Sequence, residues 1–183
     1  MKFAVSVTDL SGEKRDVSFM SIDVRNVEKD DKGSFEKIVI ETISSNKGFL
    51  GNRGRESEIL ALFMEPLDAI KAGLEIVEKT GPVNVIMGIG IHTSPTLINE
   101  SDVLRYVTMG NAVTIARSIS HKSKNNLIIT KDTKAKVGAE VKIEKKDDDF
   151  LVKGISRRED FRKDVERIVK GIKSEGKGFE VVR

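Results

Sequence analysis

The chain has 183 residues, 33% charged and 38% hydrophobic, which fits one domain with a buried core and a heavily ionised surface. Its 32 basic residues face 29 acidic ones. With one tyrosine and no tryptophan it carries neither the clustered charge nor the aromatics of a base-stacking nucleic-acid reader. The absence of cysteine excludes disulfides and thiolate metal sites. No run approaches the roughly 20 apolar residues of a membrane span, and the opening Met1-Lys2-Phe3-Ala4-Val5 is not followed by a signal-peptide core, so a soluble cytoplasmic protein is expected.

Phe3, Val5 and Val7 alternate with polar residues, the period of a strand, and Ser11-Gly12-Glu13-Lys14 reads as a turn. A second strand is expected over 16–24, ending near Asp23. After the charged loop around Glu28 to Gly33, Ser34 is expected to cap a helix carrying Phe35, Ile38, Val39, Thr42 and Ile43 at helical spacing. That helix should stop near Asn46-Lys47-Gly48, where glycine suits a left-handed end. Phe49-Leu50 and 59–63 read as a hairpin. Pro66 opens the next helix, with Leu67, Ile70, Leu74 and Val77 as its apolar stripe. A strand over 83–92, a helix over 111–119, a strand over 127–130, a short helix over 131–137 and a hairpin joining 141–143 to 150–152 follow. A basic amphipathic helix over about 159–173 and a closing strand over 178–182 complete the reading. Strand, helix, hairpin, helix, strand is the order of a ferredoxin-like α/β sandwich, here with an extended sheet.

Four segments carry a family resemblance when taken in order. They are Phe19-Met20-Ser21-Ile22-Asp23, Arg53-Gly54-Arg55-Glu56-Ser57-Glu58 with the strand after it, Met87-Gly88-Ile89-Gly90-Ile91-His92-Thr93, and Tyr106-Val107-Thr108-Met109-Gly110-Asn111-Ala112-Val113-Thr114-Ile115-Ala116-Arg117-Ser118. Leu127-Ile128-Ile129-Thr130 and Val152-Lys153-Gly154 extend the series. Together they resemble the class III adenylyl/guanylyl cyclase catalytic domain over about 14–155. The resemblance implies a domain over 1–155, with a helical extension over 156–183 packed on it.

In that family a ribose 3′-hydroxyl attacks the α-phosphate of a nucleoside triphosphate. Two divalent metals, magnesium or manganese, lower the hydroxyl pKa and neutralise the phosphates. By resemblance, Asp23 is the first metal carboxylate, and the second falls at Ser57, whose hydroxyl is a poor bridging ligand. Glu56 and Glu58 flank Ser57 and, on a regular strand, point to the other face, so a rescue needs a one-residue shift. The transition-state asparagine and arginine fall at Thr114 and Ser118. Arg117 stands one step, or about 100°, away around the helix. The purine-selecting lysine falls at Arg53, while Asn111 and the triphosphate-contacting Lys153 are retained.

The resemblance therefore implies a kept fold and a lost reaction: a binding or regulatory module, with an active cyclase built on Asp23, Glu56 or Glu58, and Arg117 as the alternative. Expected partners are a second copy of the chain, a purine nucleotide and a protein; membrane and nucleic acid are not expected. Asp23 as a loop cap, Lys153 as a surface lysine and His92 as a packed core residue are the structural readings of the same residues. Gly48, Gly51 and Gly54 form no P-loop pattern and are read as turn residues.

Overall fold

The computed structural model describes residues 13–51, 57–98 and 111–156. The expected strand over 2–8 and the C-terminal helix and strand lie outside them. The described residues form one seven-stranded sheet in the order β2-β3-β1-β4-β5-β7-β6. Its strands are β1 (Glu13–Val27), β2 (Phe49–Leu50), β3 (Glu58–Phe63), β4 (Val85–Ile98), β5 (Leu127–Ile129), β6 (Val141–Lys146) and β7 (Asp149–Ile155). Helices α1 (Lys32–Ser45), α2 (Pro66–Lys79), α3 (Asn111–His121) and α4 (Lys131–Val137) connect them. The β2-β3-β1-β4 part, with α1 and α2, has the ferredoxin-like strand order expected from the sequence. β5 then extends the sheet by pairing parallel with β4.

β1 is an interior strand between β3 and β4, and both its faces are buried over residues 17–23. Met20 and Ile22 face the large core beneath α1 and α2, together with Phe35, Val39, Ile43, Phe63, Ile70 and Ile76. Val17 and Phe19 point the other way and join Leu60, Leu62, Val113 and Ala116 beneath α3. The second cluster is small, so α3 is held by little apolar area, and its polar contacts carry more of the attachment.

Glycines set the height of α3 above the sheet. A Cβ on Gly88 would lie 2.1 Å from the Ser120 carbonyl oxygen, and one on Gly90 would lie 2.3 Å from that of Ala116. The helix backbone rests directly on β4, which only a residue without a side chain permits.

Several local expectations shift. Glu13 and Lys14 open β1 instead of forming a turn, because β1 and β4 pair continuously from Glu13–Ile98 to Val24–Met87. α1 begins at Lys32 with Asp31 at its N-cap, not at Ser34. At the end of α1 it is Lys47 that takes the left-handed conformation, at φ 61°. Gly48 serves a different need: a Cβ there would fall 2.5 Å from the Phe63 ring. On α2 the fully buried residues are Ala69, Ile70, Ala72, Gly73 and Ile76, while Leu67, Leu74 and Val77 are half-buried on its flank. Small residues bring α2 close to the sheet, so the larger ones are displaced from the contact line.

Candidate functional site

Asp23 lies near the end of β1, on the face that carries Phe19 and Ser21. Its cross-strand partner on β3 is Glu58. Directly opposed residues on antiparallel strands share a face, so both carboxylates look toward α3. Glu58, named in the sequence reading as an alternative acid with Glu56, thus stands on the face of Asp23. Ser57 sits in the turn before β3, exposed, and its carbonyl accepts the Val24 N–H at 2.8 Å.

Two arginines and a histidine of the same chain converge on the two acids. Arg25 falls at an irregularity in the β1–β4 ladder between Val24 and Asn26. A bulge of this kind re-aims a side chain, and Arg25 turns back over Asp23. Its Nε donates to Asp23 Oδ2 at 2.8 Å, while Nη2 donates to the carbonyls of Ser120 at 3.1 Å and His121 at 2.7 Å. Arg25 thereby also caps the C-terminal end of α3, where a cation suits the helix dipole. His121 Nδ1 reaches the same Asp23 oxygen at 2.9 Å.

One helical turn earlier, Arg117 Nε donates to Glu58 Oε1 at 2.6 Å. Ser21 Oγ donates to that oxygen at 3.1 Å and lies 3.2 Å from Ser120 Oγ. Both acid side chains are nearly enclosed, at 12% exposure for Asp23 and 9% for Glu58. Glu58 Oε2 is buried and has no hydrogen-bond partner among the described residues.

The other residues singled out by sequence are dispersed. Asn111, Thr114 and Ser118 lie on exposed positions of α3. Lys153 sits on β7, where its Nζ lies 2.8 Å from Glu144 Oε2, and this ion pair holds the Glu144 carboxyl below its usual range. Arg53 and Glu56 lie outside the described residues. His92 is buried on β4, its Nδ1 3.0 Å from Thr130 Oγ1, and burial lowers its pKa while Asp132 pulls the other way. The geometry is that of core packing.

Sequence reasoning named Arg117 but missed Arg25 and His121. A signal was available for His121, which follows Arg117 by four residues on a helix and so lies on the same side.

A divalent metal held between two carboxylates is what the resemblance implies. The residues present do not fit one. Asp23 Oδ2 already accepts from two donors, and Arg117 occupies one oxygen of Glu58. Two carboxylates against the guanidiniums of Arg25 and Arg117 leave no formal negative charge for a dication. Among the described residues no group of three or more His, Cys, Asp or Glu is arranged to hold a metal ion. Nor does any described helix have the length and apolarity to cross a membrane.

No protein-family model matches the chain, and no curated protein matches its sequence. Solved structures do match. The monomeric guanylyl cyclase domain of the RhoGC fusion protein from the aquatic fungus Blastocladiella emersonii aligns with a TM-score of 0.64 and 14% identity, covering 79% of this chain and 99% of that one. The guanylate cyclase domain of RhGC from Catenaria anguillulae, in complex with GTP, aligns with a TM-score of 0.62 and 12% identity, over 78% and 98%. Adenylate cyclases from Trypanosoma brucei, in their monomeric state, align with a TM-score of 0.61 and 8% identity, over 79% and 90%. The chain has the fold of these cyclase domains, as the ordered motifs led one to expect. At such identities the likeness is one of fold.

Proposed function

We propose that this chain is a cyclase-homology domain that does not cyclise nucleotides and works by binding, with a purine nucleotide, a protein or a second copy of itself as partner. One observation carries the reading: the two carboxylates at the heart of the candidate site are neutralised by Arg25 and Arg117 of the same chain, and Asp23 is also hydrogen-bonded by His121.

Cyclisation needs positive charge that is free to meet the transferring phosphate, and a base or cation that activates the attacking hydroxyl. On α3, Arg117 is turned inward to Glu58, while the exposed side presents Asn111, Thr114 and Ser118, which carry no charge. A neutral hydroxyl at the transition-state position forgoes a contribution worth several kcal/mol. What remains suits recognition: Asn111 and Lys153 on the surface of the fold.

The alternative, an active cyclase using Asp23, Glu58 and Arg117, draws support from one fact, that the three stand together. It requires both ion pairs to open before either acid serves a metal, and a partly buried pair that loses one member leaves an uncompensated charge.

Incubation of the purified chain with ATP or GTP and manganese tests the proposal. The expected result is no cyclic nucleotide above the protein-free background. Product formed at an ordinary cyclase rate overturns it.

A further inference from the structure

The chain has two histidines, and they stand in opposite settings. His92 is buried on β4, whereas the His121 side chain is 62% exposed at the end of α3. His121 Nδ1 lies 2.9 Å from Asp23 Oδ2. A carboxylate oxygen only accepts, so Nδ1 carries the hydrogen, and in the neutral ring Nε2 carries the lone pair. Among the described residues no hydrogen bond reaches Nε2. Arg25 by itself joins Asp23 to the carbonyls of Ser120 and His121, so fastening α3 does not require the imidazole. What the Asp23 contact adds is a ring held in one orientation and one tautomer, with its basic nitrogen turned to solvent.

We infer that His121 is a phosphoryl-accepting nucleophile, with Asp23 as its positioning residue, and that Nε2 takes the group from a small acyl phosphate or phosphoramidate. Histidine is among the side chains that form covalent intermediates, and a carboxylate on the far ring nitrogen both orients the ring and stabilises the imidazolium that forms. With a phosphoramidate, the Nε2 lone pair attacks phosphorus and the P–N bond of the donor breaks. The donor nitrogen, already protonated, leaves as ammonia. The ring becomes a phosphorylated imidazolium whose Nδ1–H still faces the Asp23 carboxylate. Water then cleaves the new N–P bond, giving inorganic phosphate and the original ring. The surroundings favour an anionic donor. Arg25 covers the negative end of the helix. At this end of α3 the cations Arg25, Lys122, Lys124 and Lys146 outnumber the acids Asp23 and Asp149.

The test is incubation of the folded chain with potassium phosphoramidate at neutral pH, beside N-acetylhistidine as the reference, read by phosphorus nuclear magnetic resonance and peptide mass spectrometry. His121 should be phosphorylated about tenfold faster than the reference, at Nε2 alone, with His92 unmodified. Asp23→Asn should bring the rate down to that of the reference and let Nδ1 react as well. A wild-type rate no higher than the reference, or wild-type product at Nδ1, overturns the inference. So does an Asp23→Asn variant that melts cooperatively and reacts like wild type. If that variant does not fold, the wild-type rate and the nitrogen modified decide the matter alone. The outcomes separate this inference from the functional reading: an unreactive His121 leaves the binding proposal standing, and cyclic nucleotide from wild type sinks only the loss of turnover.

Discussion

Arg117 Nε donates to Glu58 Oε1 at 2.6 Å, joining the middle of α3 to the first residue of β3. The bond runs between groups that are largely enclosed, with side-chain exposures of 32% for the arginine and 9% for the glutamate. Charge-assisted bonds in such settings are the stronger kind. It links the two elements that, in the sequence reading, carried the degenerate positions Ser57, Thr114 and Ser118.

Glu58→Gln should therefore destabilise the fold by about 1.5–3 kcal/mol, because it removes the charge that Arg117 is buried against. Ser57→Ala should change stability by no more than about 0.5 kcal/mol, since the exposed serine contributes its backbone carbonyl, which the substitution keeps. Urea denaturation of both variants checks the contrast. Equal effects would place the structural weight on the turn instead of on the acid.

Gly90→Ala should cost about 3 kcal/mol or more, through overpacking against backbone that cannot move alone. The added methyl would stand 2.3 Å from the Ala116 carbonyl oxygen and 2.6 Å from the Ser120 N–H nitrogen. Relief requires lifting α3, which also lengthens the Arg117–Glu58 and His121–Asp23 bonds. Loss of amide-exchange protection concentrated in α3 and its contacts is the expected signature; an unchanged melting temperature would contradict the close approach.

The pH dependence of folding follows from His92. Burial holds its imidazole below the ordinary value of 6.5, with Asp132 partly offsetting the shift. The unfolded chain then takes up a proton at higher pH than the folded one, so this contribution is fully present above about 6.5 and is lost as pH falls through the folded value. Urea midpoints should drop between about pH 7.5 and pH 5.5, and His92→Gln should flatten part of that slope. A midpoint that rises on acidification in wild type would show the sign to be wrong.

Much of the fold was legible because its signals are local. Pro66 marks the start of α2, the apolar run at 59–63 marks β3, and α4 spans the 131–137 expected for it. Where the reading slipped, the cause was tertiary. Lys47 tolerates a left-handed helix end because the glycine beside it is needed against Phe63. The flank of α2 carries Leu74 because Ala72 and Gly73 set the approach to the sheet. At the site, Asp23 was readable as the acid at the end of a strand. Glu58 was readable only as an alternative to Glu56, since its face depends on the pairing of β3 with β1, and one residue of offset reverses it. That Arg25 and Arg117 meet these acids depends on a bulge at Arg25 and on the height of α3, neither of which periodicity reports.

The central claim, that the chain neutralises its own acids, is tested most directly by a double-mutant cycle on Glu58→Ala and Arg117→Ala, read as unfolding free energy at moderate salt. The account predicts a coupling of about 2 kcal/mol, with the double variant less destabilised than the two single losses summed. Additive losses, with no coupling between the two positions, would contradict it.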